Sequence, residues 1–283
     1  MSDIPMATLN NGFAIPQIGF GIWTLDGRSP TVLRAALDAG YRSFDTAAVT
    51  GTEAPVGSAM RESGIRREEL FVTTKLWNRD QGYDSALRAF DTSLSNLGLE
   101  YVDLYVVHWP VPFHDTYVDS WRALERIHAE GRAKAIGVSN FEIEHLQRLL
   151  DETSVVPAVN MLELNPLLPQ QGLRAFHARH GITTWAWNTL GQGRGLLEDA
   201  VLQRLAHKHG RSAAQVLLRW HVQQGNLIAP KSLSPARMKE NLDIYDFELD
   251  ADDIAAIAAL ETGVRTGPHP NEFHALTYEP AAN

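Results

Sequence analysis

The sequence predicts an α/β fold: a closed (β/α)8 TIM barrel with an N-terminal β-hairpin outside the ring and a C-terminal loop over the barrel top. Three observations carry that expectation. Short runs of β-branched and aromatic residues alternate with longer amphipathic stretches of helical period. Eight such pairs fit within the 283 residues, and parallel strands joined by right-handed crossovers close into a ring at that number. No composition break or Gly/Ser linker divides the chain, so a single domain over 1–283 is expected.

In chain order, the hairpin comes first, at 7–16 (ATLNNGFAIP), where an Asn-Gly turn sets two short strands against each other below the barrel. Barrel strands are expected at 18–21 (IGFG), 43–45 (SFD), 70–76 (LFVTTKL) and 102–108 (VDLYVVH). Four more follow at 133–139 (AKAIGVS), 158–164 (AVNMLEL), 183–187 (TTWAW) and 226–230 (NLIAP). The stretch at 29–40 (SPTVLRAALDAG) typifies the helices between them: Ser29 caps, Pro30 fits the first turn and Gly40 stops the helix. Residues 262–283 are too rich in Gly, Pro and polar side chains for a core element, and are expected to cross the barrel top.

With 44% hydrophobic and 21% charged residues, the chain has the balance of a globular protein with a large core. Its formal charge of −9 argues against non-specific nucleic-acid binding, so an anionic ligand must find a locally basic pocket. No early segment joins a basic start to an apolar run, and no stretch approaches the ~20 apolar residues of a membrane span. Zero Cys rules out disulfides and zinc–thiolate sites and suits the cytoplasm. The expectation is a cytoplasmic monomer that acts on a small molecule, with no nucleic-acid or membrane partner. No metal site is expected either: His177 and His180 share a helix face and His207 and His209 do not, and neither pair lies in an H-E-x-x-H context.

Chemistry in such barrels sits at the C-terminal ends of the strands, where the βα loops gather. Asp45, Lys75 and His108 fall at three of those ends. Alternation puts Leu104, Val106 and His108 on one face of their strand and Tyr105 and Val107 on the other. An Asp and a Lys facing a barrel mouth should pair, because burying either charge alone is costly. Taken alone, these residues fit a structural ion pair beside a buried histidine as well as they fit a catalytic group.

A set of motifs extends the reading: GYRSFDTAAVTGTE (40–53), TTKLW (73–77), VDLYVVHWP (102–110), IGVSNF (136–141), PAVNMLELNP (157–166), LGQG (190–193) and PKSLSPARMKENL (230–242). In number, order and spacing they resemble the aldo-keto reductase superfamily, nearest its bacterial branch that includes the diketogluconate reductases. The resemblance implies NADPH as cofactor and a tetrad in which a tyrosine hydroxyl, made more acidic by an aspartate-paired lysine, protonates the oxygen of a carbonyl that receives hydride. A histidine orients that carbonyl. Asp45, Lys75 and His108 match three tetrad positions, and the tyrosine position is Thr50.

The resemblance also implies a cofactor site. Lys231, Ser232 and Arg237 would hold the adenosine 2′-phosphate, and Glu240 with Asn241 would meet the adenine. Arg suits phosphate bidentately and Lys as a point charge. Read alone, that segment is a solvated basic helix start. The loop with Leu190, Gln192 and Gly193 would wrap the pyrophosphate, although it lacks the G-x-G-x-x-G dinucleotide pattern. Trp187 matches the aromatic that stacks on nicotinamide, and Ser139 and Asn140 match its carboxamide ligands. Met161 stands where a carboxamide-binding glutamine is usual, and Asn165 where a histidine is usual. A thioether is a poor replacement for an amide. Trp23, Val49, Trp77, Trp109 and Phe273 would wall an apolar substrate pocket.

Thr50 is a weaker acid than a phenol and shorter by a ring, and general acid catalysis is worth about 10²–10⁴-fold. Four explanations stand at this point. The substrate is a C=N or conjugated C=C that needs no protein acid there; a water held by Thr50 and Lys75 relays the proton; Tyr83, Tyr117 or His114 substitutes; or catalysis has been lost while NADPH still binds. A non-redox step in the same pocket is the remaining alternative.

Overall fold

The computed structural model describes residues 4–23 and 29–277. Strands β1 (Met6–Thr8) and β2 (Ala14–Pro16) form the antiparallel hairpin, with Met6 opposite Pro16. Gly12 takes a φ of 81°, the left-handed turn geometry that made Asn-Gly legible. Both turn asparagines reach the starts of barrel strands: Asn10 donates to the Pro157 carbonyl and Asn11 to that of Lys134. Leu9 and Ile15 are buried against barrel-interior residues such as Leu104 and Trp185, so the hairpin plugs the bottom of the ring.

The ring consists of β3 (Phe20–Gly21), β4 (Ser43–Asp45), β5 (Phe71–Leu76), β6 (Val102–Val107), β7 (Ala133–Ser139), β8 (Val159–Glu163), β9 (Thr183–Trp187) and β10 (Leu227–Ile228). They form one sheet in strict chain order, with every neighbouring pair parallel. A parallel bridge between Ile18 and Ile228 joins the last strand to the first. The strands expected at 18–21 and 226–230 are thus shorter than read, two paired residues each. Close approach explains this seam: a Cβ on Gly21 would come within 2.4 Å of the Ala229 carbonyl oxygen, and Pro230 has no N–H to extend the ladder.

Helices α1 (Ser29–Ala39), α2 (Glu53–Ser63), α3 (Tyr83–Leu97), α4 (Tyr117–Ala129), α5 (Ile143–Glu152) and α6 (Gln171–His180) fill the first six crossovers. Gly40, at φ 111°, ends α1 as expected, while Ser29, expected as its cap, is the first residue of the helix. Between β9 and β10 stand two helices, α7 (Ala200–His209) and α8 (Ala213–Gln223). They divide at Gly210 (φ 62°), and Ser212 with Gln215 forms a capping box that starts α8. After β10 come α9 (Pro235–Leu242) and α10 (Ala251–Ala258).

Alternation along the strands separates two cores. Leu104, Val106, Ala135, Val159, Met161 and Trp185 fill the barrel interior. Tyr105, Val107, Ile136, Val138 and Leu162 point outward into the layer shared with the helices. Because register is continuous around the ring, the next inward residues on each strand form the floor of the mouth.

Candidate active site

Asp45 ends β4 opposite Gly21 and Thr73, Lys75 lies opposite Val106, and His108 follows β6 with its N–H on the Leu76 carbonyl at 3.1 Å. The three sequence-expected residues therefore meet at the C-terminal ends of three consecutive strands. Lys75 Nζ donates to Asp45 Oδ1 at 2.5 Å and to the Thr46 carbonyl at 2.9 Å. Burial pushes the Asp45 carboxyl up, and the Lys75 charge opposes that shift. Burial holds His108 well below the usual imidazole range, with the Lys75 charge acting in the same direction. The imidazole is therefore neutral near pH 7. Its Nδ1 is buried without a hydrogen-bond partner among the described residues.

Thr50 lies in a short 3-10 turn, Ala48–Thr50, which follows β4, and is half-buried. Its hydroxyl donates to the Ala47 carbonyl at 2.7 Å and lies 2.7 Å from the Thr52 hydroxyl, which lies 2.6 Å from that of Thr46. A hydroxyl has one proton, so the donors are fixed in sequence. Thr46 donates to Thr52, Thr52 to Thr50, and Thr50 to Ala47. Lys75 bonds the Thr46 carbonyl rather than the Thr50 hydroxyl, so no direct Lys75–Thr50 contact forms.

Above His108 lies an aromatic enclosure. Trp77 and Trp23 set their rings edge-on to the imidazole at 5.1 and 6.0 Å, and Trp109 packs on Phe273 at 4.3 Å. Val49, Phe273 and Trp187 pack against the buried cluster of Trp77, Trp109 and Val111. All five residues expected to wall the substrate pocket are thus brought around one mouth. Phe273 arrives on the C-terminal segment, which crosses the top as expected. Trp77 and Asn78 donate to the carbonyls of Leu276 and Ala275 at 2.8 Å each.

That segment has an anchor the sequence did not reveal. Glu163, at the end of β8 and buried, accepts from Thr266 N at 2.7 Å, Gly267 N at 3.0 Å and Asn188 Nδ2 at 3.0 Å, and also bonds the Thr266 hydroxyl. Gly267 lies against the edge of Trp187, where a Cβ would meet the ring at 2.8 Å. The only available signal was an acid at an inward strand-end position, in register with Trp187.

On the other side of the mouth, Trp187 Nε1 donates to Asn140 Oδ1 at 2.9 Å, and Asn140 Nδ2 donates to the His108 carbonyl and to Ser139 Oγ at 3.0 Å each. Met161 lies inward opposite Ser139 and is buried. Gly191, Gln192 and Gly193 all take positive φ, and a Cβ at Gly193 or Gly195 would meet nothing within 4 Å. Leu190 packs on the core while Gln192 and Gly193 are exposed. Lys231 Nζ donates to the Trp23 carbonyl at 2.7 Å, Ser232 Oγ to that of Ser234 at 3.3 Å, and the exposed Arg237 guanidinium has no partner among the described residues. Glu240 is half-buried, whereas Asn241 is buried and directed to Tyr41.

The alternative proton donors lie elsewhere. Tyr117 is buried against Phe141 and His145, Tyr83 begins α3 beside Arg126, and His114 sits on exposed Phe113. None touches Lys75 or His108 among the described residues. Asn165 accepts from Leu167 N at 2.9 Å and so shapes the turn after β8. A separate cleft of about 950 Å³ opens at the barrel bottom, lined by Met6, Phe13, Arg42, Phe71 and Leu242 among others, far from this chemistry. Among the described residues no helix is long and apolar enough to cross a membrane, and no group of three or more His, Cys, Asp or Glu could hold a metal ion.

Comparison with known proteins places these features in context. Residues 17–262 match the aldo/keto reductase family. An aldo-keto reductase of Mycolicibacterium smegmatis is 52% identical over 271 residues, covering 95% of this chain and 98% of that protein. A methylglyoxal reductase DkgA of Escherichia coli O157:H7 is 45% identical over 275 residues, covering 96% and 99%. Among solved structures, a mutant of Gox0644 in complex with NADPH superimposes with a TM-score of 0.92 at 44% identity, covering 96% of this chain and 99% of that one.

Proposed function

The chain belongs to the aldo/keto reductase family, and from that premise we propose that it is an NADPH-dependent oxidoreductase that directs hydride to a small-molecule C=O, C=N or conjugated C=C without a phenolic acid. The observation that carries this reading is the Asp45–Lys75 pair, 2.5 Å apart, at the same barrel mouth as neutral His108 and its aromatic enclosure.

The residues present fit the cofactor at most of its length. Arg237, Lys231 and Ser232 would hold the 2′-phosphate, with Glu240 and Asn241 at the adenine end. Gly193 and Gly195 leave open space where phosphate oxygens can approach backbone N–H groups. Trp187 would carry the nicotinamide ring, with Ser139 and Asn140 at its carboxamide. Met161 is the exception, since a thioether offers only weak hydrogen bonding there. When bound, NADPH supplies the hydride.

The protein's own residues then orient and stabilise. His108, neutral, can donate one N–H to the acceptor atom of the substrate. Lys75 bonds Asp45 and the Thr46 carbonyl, so the buried carboxylate has a counter-charge in contact with it. Thr50 keeps its proton on Ala47, so a substrate that needs a proton takes it from solvent. Trp77, Trp109 and Phe273 give the reacting group an apolar wall that stays open to solvent at its Trp23 rim. The same reading has the protein working as a monomer in the cytoplasm.

A second reading, an NADPH-binding barrel with impaired catalysis or a non-redox step, is favoured by Thr50 and Met161 together. A stopped-flow screen of NADPH consumption against aldehydes, ketones, cyclic imines and enones separates the two. Turnover of any class supports the oxidoreductase, and tight NADPH binding with no turnover supports the alternative.

A further inference from the structure

We propose that the substrate is a cation: an iminium, a positively charged C=N group carried on an apolar, ring-containing body. The inference rests on the hydride-transfer reading above and names its substrate class.

Protons point to this class. Hydride addition to a carbonyl yields an alkoxide, and addition to an enone yields an enolate, so each needs a proton at or soon after transfer. Thr50 donates to Ala47, its neighbours Thr52 and Thr46 are consumed in the same chain, and Lys75 is held by Asp45 and the Thr46 carbonyl. His108 is kept neutral by burial and by Lys75. An iminium needs none of them. Its carbon accepts a hydride, the C=N π pair falls onto nitrogen, and a neutral amine results. The two electrons are those lost when NADPH becomes NADP⁺, so charge and atoms balance without a proton.

Charge points the same way. Asp45 and Lys75 cancel, and His108 is neutral, so these three residues add no net charge to the mouth, and the Glu163 carboxyl is turned to the C-terminal segment. The walls are Trp23, Trp77, Trp109 and Phe273, with Trp23 still 41% exposed at the rim. Aromatic faces attract cations through their quadrupoles, most strongly where water is excluded. An enclosure of three tryptophans and a phenylalanine around a set of residues with no net charge suits an apolar cation and gives an anion nothing to bind. The formal charge of −9 adds a weak long-range attraction of the same sign.

The test compares N-methyl-3,4-dihydroisoquinolinium with 1-tetralone, a neutral ketone of nearly the same shape. Calorimetric titration of the protein loaded with tetrahydro-NADPH, whose nicotinamide ring is uncharged and cannot give up hydride, should show the iminium binding at least about tenfold more tightly. Trp23→Leu should shrink that preference without altering the NADP⁺ affinity. With NADPH, and after subtraction of the uncatalysed rate, kcat/KM should favour the iminium by about 10²-fold or more. Equal or tighter binding of the ketone, or equal turnover, overturns the iminium assignment while the hydride-transfer reading stands. A protein that binds NADPH yet oxidises it with neither compound, nor with aldehydes, overturns both.

Discussion

Thr50 and Thr52 share a hydrogen bond of 2.7 Å between their hydroxyls, and the proton in it belongs to Thr52, because Thr50 spends its own on the Ala47 carbonyl. Thr50 is thus an acceptor toward its neighbour. On the proposed reading, in which Thr50 stands where a phenolic acid would, the hydroxyl there has no proton left to offer a substrate.

If Arg237 meets the 2′-phosphate, cofactor preference follows from it. Its guanidinium has no partner among the described residues, and the residue stands in the first turn of α9, after Lys231 and Ser232 in the chain. A charge-assisted hydrogen bond is worth about 1.5–3 kcal/mol. Arg237→Ala should weaken NADPH at least about tenfold and leave NADH nearly unchanged. Parallel fluorescence titrations of both cofactors check this, and equal loss for both would contradict the assignment.

Trp187 is fixed by its bond to Asn140 and by Gly267 at its ring edge, so its face is presented in one orientation. If nicotinamide stacks there, NADPH should quench tryptophan fluorescence and Trp187→Ala should remove most of the change. An intact quench in the variant would assign it to another of the seven tryptophans.

Glu163 should hold the tail. Glu163→Ala leaves Thr266 N, Gly267 N and Asn188 Nδ2 without their acceptor. At about 1.5–3 kcal/mol for each bond to a charged group, local opening of the segment becomes easier by tenfold or more. Hydrogen exchange should accelerate at residues 264–276 and not in the barrel strands. KM for substrate should rise, because Phe273 travels with the tail, while NADPH affinity changes little. Unchanged exchange across 264–276 would contradict the anchor.

Acid should destabilise the fold early. Burial holds His177 and His221 down to about 3, and His108 also lies well below its usual range. Each is neutral when folded and free to take a proton when unfolded below about 6.5. The depressed folded value means stability is fully present above that pH and is lost as pH falls. His177 and His221 each cost about 1.4 kcal/mol per pH unit, so the two cost about 3 kcal/mol at pH 5.5, and His108 adds to the loss in the same direction. Urea unfolding at pH 7.5 and 5.5 measures the difference, and His177→Asn should reduce it by about 1.4 kcal/mol.

Much of this was legible in the sequence because the barrel repeats a local signal. β-branched runs gave the strands from 43 to 187 nearly to the residue, and alternation correctly put His108 inward with Leu104 and Val106. The seam was harder: Gly21 and Pro230 limit pairing through a close approach between strands distant in sequence. The doubled helix before β10 was not anticipated, although Gly210 and the Ser212–Gln215 box are local signals for it. Asp45, Lys75 and His108 were visible as ionisable groups at strand ends. Glu163 was passed over because its partners lie about a hundred residues away, on a tail with no regular structure of its own. The threonine chain needed coordinates, since donor direction depends on which carbonyl Thr50 meets.

On the hydride-transfer proposal, Asp45, Lys75 and His108 are poised for that step and lack only a strong acid. The most direct measurement is single-turnover reduction of a simple aldehyde by wild type and by Thr50→Tyr, each saturated with NADPH. A phenol placed beside Lys75 acts on charge that develops in the transition state, so its gain belongs in the chemical step. That step should be faster in the variant by about 10²-fold or more, with turnover of an iminium reduced as the new ring fills the site. A variant that folds and binds NADPH but reduces the aldehyde no faster than wild type would contradict it.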